Sequence, residues 1–237
     1  MDIPSSLAIV ALAALIHASF QLSVSVLTLL GGHAIGVKKT QARVLRLTTA
    51  FVAGTAVMTM LLLSFAALVF QSFFANAVPA FAWALVCGVL AGIGLAVWMF
   101  YYRREKGTSL WVPRPVASFL SDRTKATKRS AEAFSLGLVS TIGELLFIIG
   151  PIVVSALVLI ELPALWQLAA IALYTAVSLL SLGIVWMLIG SGHKLSQIQH
   201  WRESNKYFLQ FAAGSGLLIL GFYVYVSEVL GSTIGGL

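Results

Sequence analysis

Charge is what this sequence has least of. Its 237 residues include 8 Asp and Glu and 15 Lys and Arg, so 10% are charged, where a soluble domain carries about 25%. Hydrophobic residues make up 59% of the chain, and mean hydropathy is +0.98. A soluble fold has too little interior for that much apolar surface, so the expected solvent is lipid. Cysteine is almost absent. The single Cys87 excludes an intramolecular disulfide and a CxxC redox or metal pair, and its apolar setting reads as a small core residue. No HExxH, P-loop or GxSxG motif occurs, and no lysine interrupts an apolar run to carry a retinal Schiff base. Neither an enzyme nor a cofactor nor a bound metal is expected.

What the chain does have is long apolar stretches. A bilayer core about 30 Å thick needs about 20 apolar residues of helix. Six stretches meet that need, at 3–30, 44–74, 78–102, 131–160, 163–190 and 207–230. The first has no basic lead-in and runs on past Leu30, so it reads as a span and not as a cleaved signal peptide. Asn76 to Pro79 and Glu161 to Pro163 read as tight turns, with a proline where the next helix begins. The second and third spans then form one hairpin, and the fourth and fifth another. The fold class expected is an all-α polytopic membrane bundle of six transmembrane helices.

The basic residues orient it. Lys38, Lys39, Arg43 and Arg46 follow the first span. Arg103, Arg104, Lys106, Arg114, Arg123, Lys125, Lys128 and Arg129 follow the third, and Lys194, Arg202 and Lys206 follow the fifth. All 15 Lys and Arg fall in these alternate connections. Basic connections stay cytoplasmic, which predicts both termini on the non-cytoplasmic side. The pI near 9.8 is then a matter of topology, and no nucleic-acid partner is expected. In the long connection, WVPRPVASFL suits a segment at the headgroup level, and SDRTKATKRS suits a solvated basic helix start. Arg123, Lys125, Lys128 and Arg129 are the expected contacts with anionic lipid or an acidic partner. The plainer reading of these charges is topological only. HKLSQIQHWRESNKY, with Trp201, reads as a shorter interfacial element.

The order is three spans (1–102), a basic connection (103–130) and three spans (131–237). An odd number per half inserts the second half upside down, a plan seen in secondary transporters with the site near the midplane. A shift of 127 residues places His17 on Glu144 and Gly94 on Gly221. The layout, together with FSLGLVSTIG in the fourth span and GLLILGFYVY in the sixth, resembles the lysine-exporter/CcdA-type membrane superfamily. That resemblance implies a three-plus-three helix fold with a helix break in the first helix of a half. It would also imply a cysteine per half in the thiol–disulfide carrier branch. This chain has Gly143 and Glu144 at the second such place, which argues against electron relay.

Glu144 is the one acidic residue deep within a span, and an ionisable group there is a functional-site hypothesis by default. Gly137, Thr141, Pro151 and Ser155 continue its face. Gly150-Pro151 is expected to weaken the helix and free carbonyls for a cavity. His17, near the centre of the first span, leads a polar stripe through Gln21, Ser25 and Thr28. Packed as the repeat implies, His17 and Glu144 would meet and share a proton. Interhelical hydrogen bonding alone is the plainer account of both. Gly88 and Gly92, and Gly214, Gly216 and Gly221, read as small-residue packing faces, which also allow a homo-oligomer. The function expected is a small secondary transporter or exporter of a solute or ion in a bacterial plasma membrane. Glu144, His17, Gln21, Thr141 and Pro151 would be its binding or coupling residues. The alternative is a membrane scaffold or assembly partner.

Overall fold

The computed structural model describes residues 2–20, 22–36, 41–75, 77–100, 114–192 and 195–231, and the elements formed by these residues are all helical. They are α1 (Ile3–Ser19), α2 (Leu22–Gly36), α3 (Gln41–Phe74), α4 (Ala80–Phe100), α5 (Arg114–Ala126), α6 (Ser130–Glu161), α7 (Ala164–Ser178), α8 (Leu180–Gly190), α9 (Leu195–Ser204) and α10 (Lys206–Val224). A π-helical turn, Tyr225–Leu230, extends α10. Four helices are long and apolar enough to cross a membrane: α3, α4, α6 and α10. The number is six if each of the bent pairs α1/α2 and α7/α8 is one span. The chain is thus all-helical and compatible with an integral membrane protein.

Both prolines open the next helix as expected, Asn76 lying outside the described residues, but α4 packs chiefly on α10 and not back on α3. Pro79 accepts the Ala82 amide at 2.9 Å, and Pro163 accepts the Trp166 amide at 2.8 Å. Each proline therefore opens a helix without having to supply an amide itself. Before the first of these turns, α3 ends on Ala75 at φ +52°.

α3 and α6 form the most extensive interface and run parallel. At one end Arg43 Nη2 donates to the Lys128 carbonyl at 3.4 Å. At the other, the Val78 amide donates to Glu161 Oε1 at 3.3 Å. Between them the backbones touch. A Cβ on Gly54 would strike the Phe134 carbonyl, and one on Gly137 would strike the Phe51 carbonyl. α4 and α10 run antiparallel, with Gly94 against Gly214 and Gly221 against Leu90 and the Cys87 carbonyl. Trp98 stacks on Phe211 at 5.8 Å between ring centroids. Gln210 Nε2 donates to the carbonyls of Val97 and Trp98 at 2.8 and 2.6 Å.

Three sequence expectations need correction. α6 runs unbroken through Gly150 and Pro151. A Cβ on Gly150 would come within 2.8 Å of Leu90 Cδ2, so packing on α4 holds the segment helical. The breaks lie instead between α1 and α2, which meet at 48°, and between α7 and α8, which meet at 51°. Second, Arg114–Ala126 is one helix, not a separate headgroup segment followed by a solvated helix start, and it packs on α2 and α6. A Cβ on Gly143 would sit 3.1 Å from Leu22 Cδ2, 3.4 Å from Val116 Cγ1 and 3.7 Å from Leu120 Cδ1. α5 therefore folds back along α6 and reaches the depth of the α1/α2 break. Third, a Cβ built on Gly88 or Gly92 meets no atom of the described residues within 4 Å beyond its own helix backbone. Gly94, Gly214 and Gly221 pack α4 on α10, and Gly216 packs on Ile16 of α1.

Candidate functional site

Glu144 lies midway along α6, 4% exposed, and faces the start of α2. The first amides of a helix have no intrahelical acceptor, and the helix dipole favours a negative group beside them. Glu144 provides both from another helix. Its Oε1 accepts the Ser23 amide at 2.8 Å, and its Oε2 accepts the Ser23 hydroxyl at 3.0 Å. The Leu22 amide also reaches the carboxyl. The Ser23 hydroxyl also lies 3.1 Å from the Ser140 hydroxyl, and the Ser140 and Thr141 hydroxyls reach the Gly137 carbonyl at 3.1 and 3.2 Å.

Backbone at a break buried away from water must find partners, and here side chains provide them. On the α1 side the Ala18 carbonyl accepts the Ser181 hydroxyl at 2.6 Å. Ser181 lies just past the break between α7 and α8, so the two bends adjoin. Directly before Ala18, His17 Nδ1 and the Tyr174 hydroxyl share a buried hydrogen bond of 3.0 Å, with ring centroids 5.7 Å apart. On the α2 side, Arg202 Nη2 donates to Ser25 Oγ at 2.7 Å, and its charge acts on Glu144. Glu144 and Arg202 thus grip α2 at two polar residues within its first turn.

The sequence-predicted residues separate. Glu144 and Thr141 lie together in this cluster. His17 pairs with Tyr174 of α7 and not with Glu144. The reason is the α1/α2 break, which ends the helix before the expected stripe can continue. Ser25 therefore belongs to the Arg202 contact, and Thr28 bonds the Ser25 carbonyl of its own helix at 2.8 Å. Gln21 lies outside the described residues. Pro151 is buried in the α6 core face. Cys87 is buried on α4. Arg123, Lys125, Lys128 and Arg129 are exposed, with Arg123 over the Phe119 ring at 5.4 Å. The Lys128 and Arg129 amides cap α6 through Glu132 Oε2, at 2.7 and 3.0 Å.

Sequence reasoning missed Ser23, Ser140, Tyr174 and Arg202. It also missed the threonines of α3, whose recurrence at Thr48, Thr55 and Thr59 on one buried face was a readable signal. Thr55 Oγ1 reaches the Phe51 and Gly137 carbonyls at 3.2 and 3.5 Å. Among the described residues, Thr59 Oγ1 and Ser155 Oγ are buried without a hydrogen-bond partner. These two hydroxyls, one on each helix of the α3 and α6 pair, are polar groups available to a ligand or to water.

No family model matches the chain, and no curated protein and no solved structure is similar to it.

Proposed function

We propose that the chain is a small secondary transporter or exporter of a solute or ion, with six spans arranged as two inverted three-helix halves. Its termini face away from the cytoplasm of a bacterial plasma membrane, and Glu144 is the coupling carboxyl. The observation that carries this reading is the Glu144 cap on α2. A carboxylate accepts from the Ser23 amide and hydroxyl at once. A protonated carboxyl loses part of that acceptor capacity and gains a donor of its own. Proton or cation binding at Glu144 would therefore loosen α2 at a hinge whose other side adjoins the α7/α8 bend. That links an ion to a rearrangement of two spans, which secondary transport requires.

Two further observations support the plan. The antiparallel α4 and α10 contacts pair Gly94 with Gly214 and Cys87 with Gly221. A shift of 127 residues carries Gly94 to Gly221 and Cys87 to Gly214, so each contact is the other with its halves exchanged. An inverted repeat has this property. The orphan hydroxyls of Thr59 and Ser155 also lie on the faces that α3 and α6 bury, where a solute path would need donors. α5, packed on Gly143 beside Glu144, would serve as the gate on the side of the basic connections.

A test is reconstitution into liposomes with a trapped pH-reporting dye, presenting monovalent cations, amino acids and small organic cations in turn. The expected outcome is a solute-driven pH change that depends on the protein and disappears in Glu144→Gln. Solute flux that is the same in Glu144→Gln would refute the coupling role. The exposed Arg123, Lys125, Lys128 and Arg129 favour a second reading, a membrane scaffold held to an acidic partner. Neutralising these four would abolish its function while Glu144→Gln would not.

A further inference from the structure

The short helix α9 borders two hollows. On its inner side an apolar slot of about 440 Å³ opens between α2, α8, α9 and α10. Its walls are Val24, Ile184, Val185, Leu188 and Leu209, and Trp201 stands at its edge. On its outer side a second hollow of about 430 Å³ is lined by Gln197, His200, Trp201 and Ser204. Gln197 and Trp201 border both, so the apolar slot adjoins the exposed side chains of Gln197, His200 and Ser204. Slot volumes of this size match the range of about 300–1,000 Å³ for small-molecule sites.

Apolar walls ending at amide, imidazole and hydroxyl groups, with a tryptophan at the boundary, complement an amphiphile whose tail and head differ in polarity. Trp201 is 59% exposed, and tryptophan settles where hydrocarbon meets headgroups. In a chain that spans a bilayer, the amphiphile at hand is phospholipid. We propose that the α2/α8/α9/α10 slot is a specific phospholipid site, in which one acyl chain fills the slot and the phosphate headgroup rests on Gln197, His200 and Ser204. This rests on the chain being membrane-embedded and not on its transporting anything. The occupant wedges between α8 and α9, and α9 carries Arg202, whose guanidinium holds Ser25. The lipid thereby props the α2 end of the hinge.

Native mass spectrometry of the full chain in detergent tests it, with palmitoyl-oleoyl phosphatidylethanolamine and the diacylglycerol of the same chains as probes. The expected result is one saturable phospholipid adduct on the wild type. Ile184→Trp combined with Leu188→Trp, which fills the slot, should weaken that adduct at least about tenfold, roughly 1.4 kcal/mol. Leu85→Trp, on the outward face of α4, should leave it unchanged. The diacylglycerol should bind more weakly than the phospholipid, and the difference should shrink in Gln197→Ala with Ser204→Ala. Should the slot-filled protein fail to fold, the wild type alone still decides. A graded ladder of adducts without a saturable first one, or equal binding of phospholipid and diacylglycerol, overturns the proposal.

Discussion

Ser23 and Glu144 stand 121 positions apart in the chain and are joined twice, from amide to Oε1 at 2.8 Å and from hydroxyl to Oε2 at 3.0 Å. This pairing makes a helix that starts inside the fold tolerable. A buried amide left without an acceptor costs about 1–3 kcal/mol, and the carboxylate removes that cost while complementing the positive end of α2.

The size order of three substitutions follows. Glu144→Leu leaves the Leu22 and Ser23 amides without their carboxylate acceptor and should destabilise most, by about 2–4 kcal/mol if both groups are orphaned. Glu144→Gln keeps one carbonyl acceptor and should lose less. Ser23→Ala removes the hydroxyl alone and should cost about 1 kcal/mol. Thermal unfolding in detergent, followed by helical signal, ranks them. A Leu variant as stable as the wild type would remove the cap from the account.

Close backbone contact makes a second prediction. Gly54→Ala and Gly137→Ala each drive a Cβ into the carbonyl of the facing helix, and backbone gives way less readily than a flexible side chain. Either should lower the melting temperature strongly or abolish folding, at a cost of several times the roughly 1 kcal/mol scale of an ordinary substitution. Gly88→Ala and Gly92→Ala meet open space and should be near neutral. Equal tolerance at all four positions would contradict the parallel crossing of α3 and α6.

His17 and Tyr174 should be energetically coupled. Tyr174→Phe removes the hydroxyl and leaves His17 Nδ1 without its 3.0 Å partner. A double-mutant cycle with His17→Phe should give a coupling of about 0.6 kcal/mol, and no more than about 1.7. A value of zero would mean that ring packing, and not the hydrogen bond, holds the pair.

The depth of α5 is open to chemistry. In a Cys87→Ala background, Val116→Cys with Gly143→Cys should oxidise to a disulfide. The Val116 Cγ1 atom, at the position a cysteine sulfur would take, lies 3.4 Å from a Cβ built on Gly143. The pair Ser118→Cys with Gly143→Cys, which places one thiol on the exposed side of α5, should not. A helix lying flat at the headgroups would cross-link neither.

The sequence was clearest where one physical signal dominates. Apolar length marked the long apolar helices α3, α4, α6 and α10, and Pro79 and Pro163 marked helix starts. A carboxyl surrounded by apolar residues singled out Glu144. Tertiary contacts determined the rest. Nothing at Phe20 or Leu179 resembles a glycine or proline breaker, and the α1/α2 bend persists because distant groups, Glu144 and Ser181, satisfy the backbone it frees. Gly150-Pro151 does look like a breaker, yet packing on Leu90 keeps it helical. Gly88 and Gly92 have packing spacing but face away from the chain, whereas Gly54 and Gly137 make their contact with no spaced motif. Val116 and Leu120 look interfacial by composition and are drawn inward because Gly143 leaves room for them.

Infrared difference spectroscopy on the chain in nanodiscs, titrated from acid to alkaline pH and compared with Glu144→Gln, tests the central claim most directly. The account predicts a carboxyl signal, missing from the variant, that titrates with the bulk buffer together with amide bands from helix rearrangement. A Glu144 carboxyl that holds one protonation state across the whole range, with no amide change, would contradict it and reduce Glu144 to a structural cap.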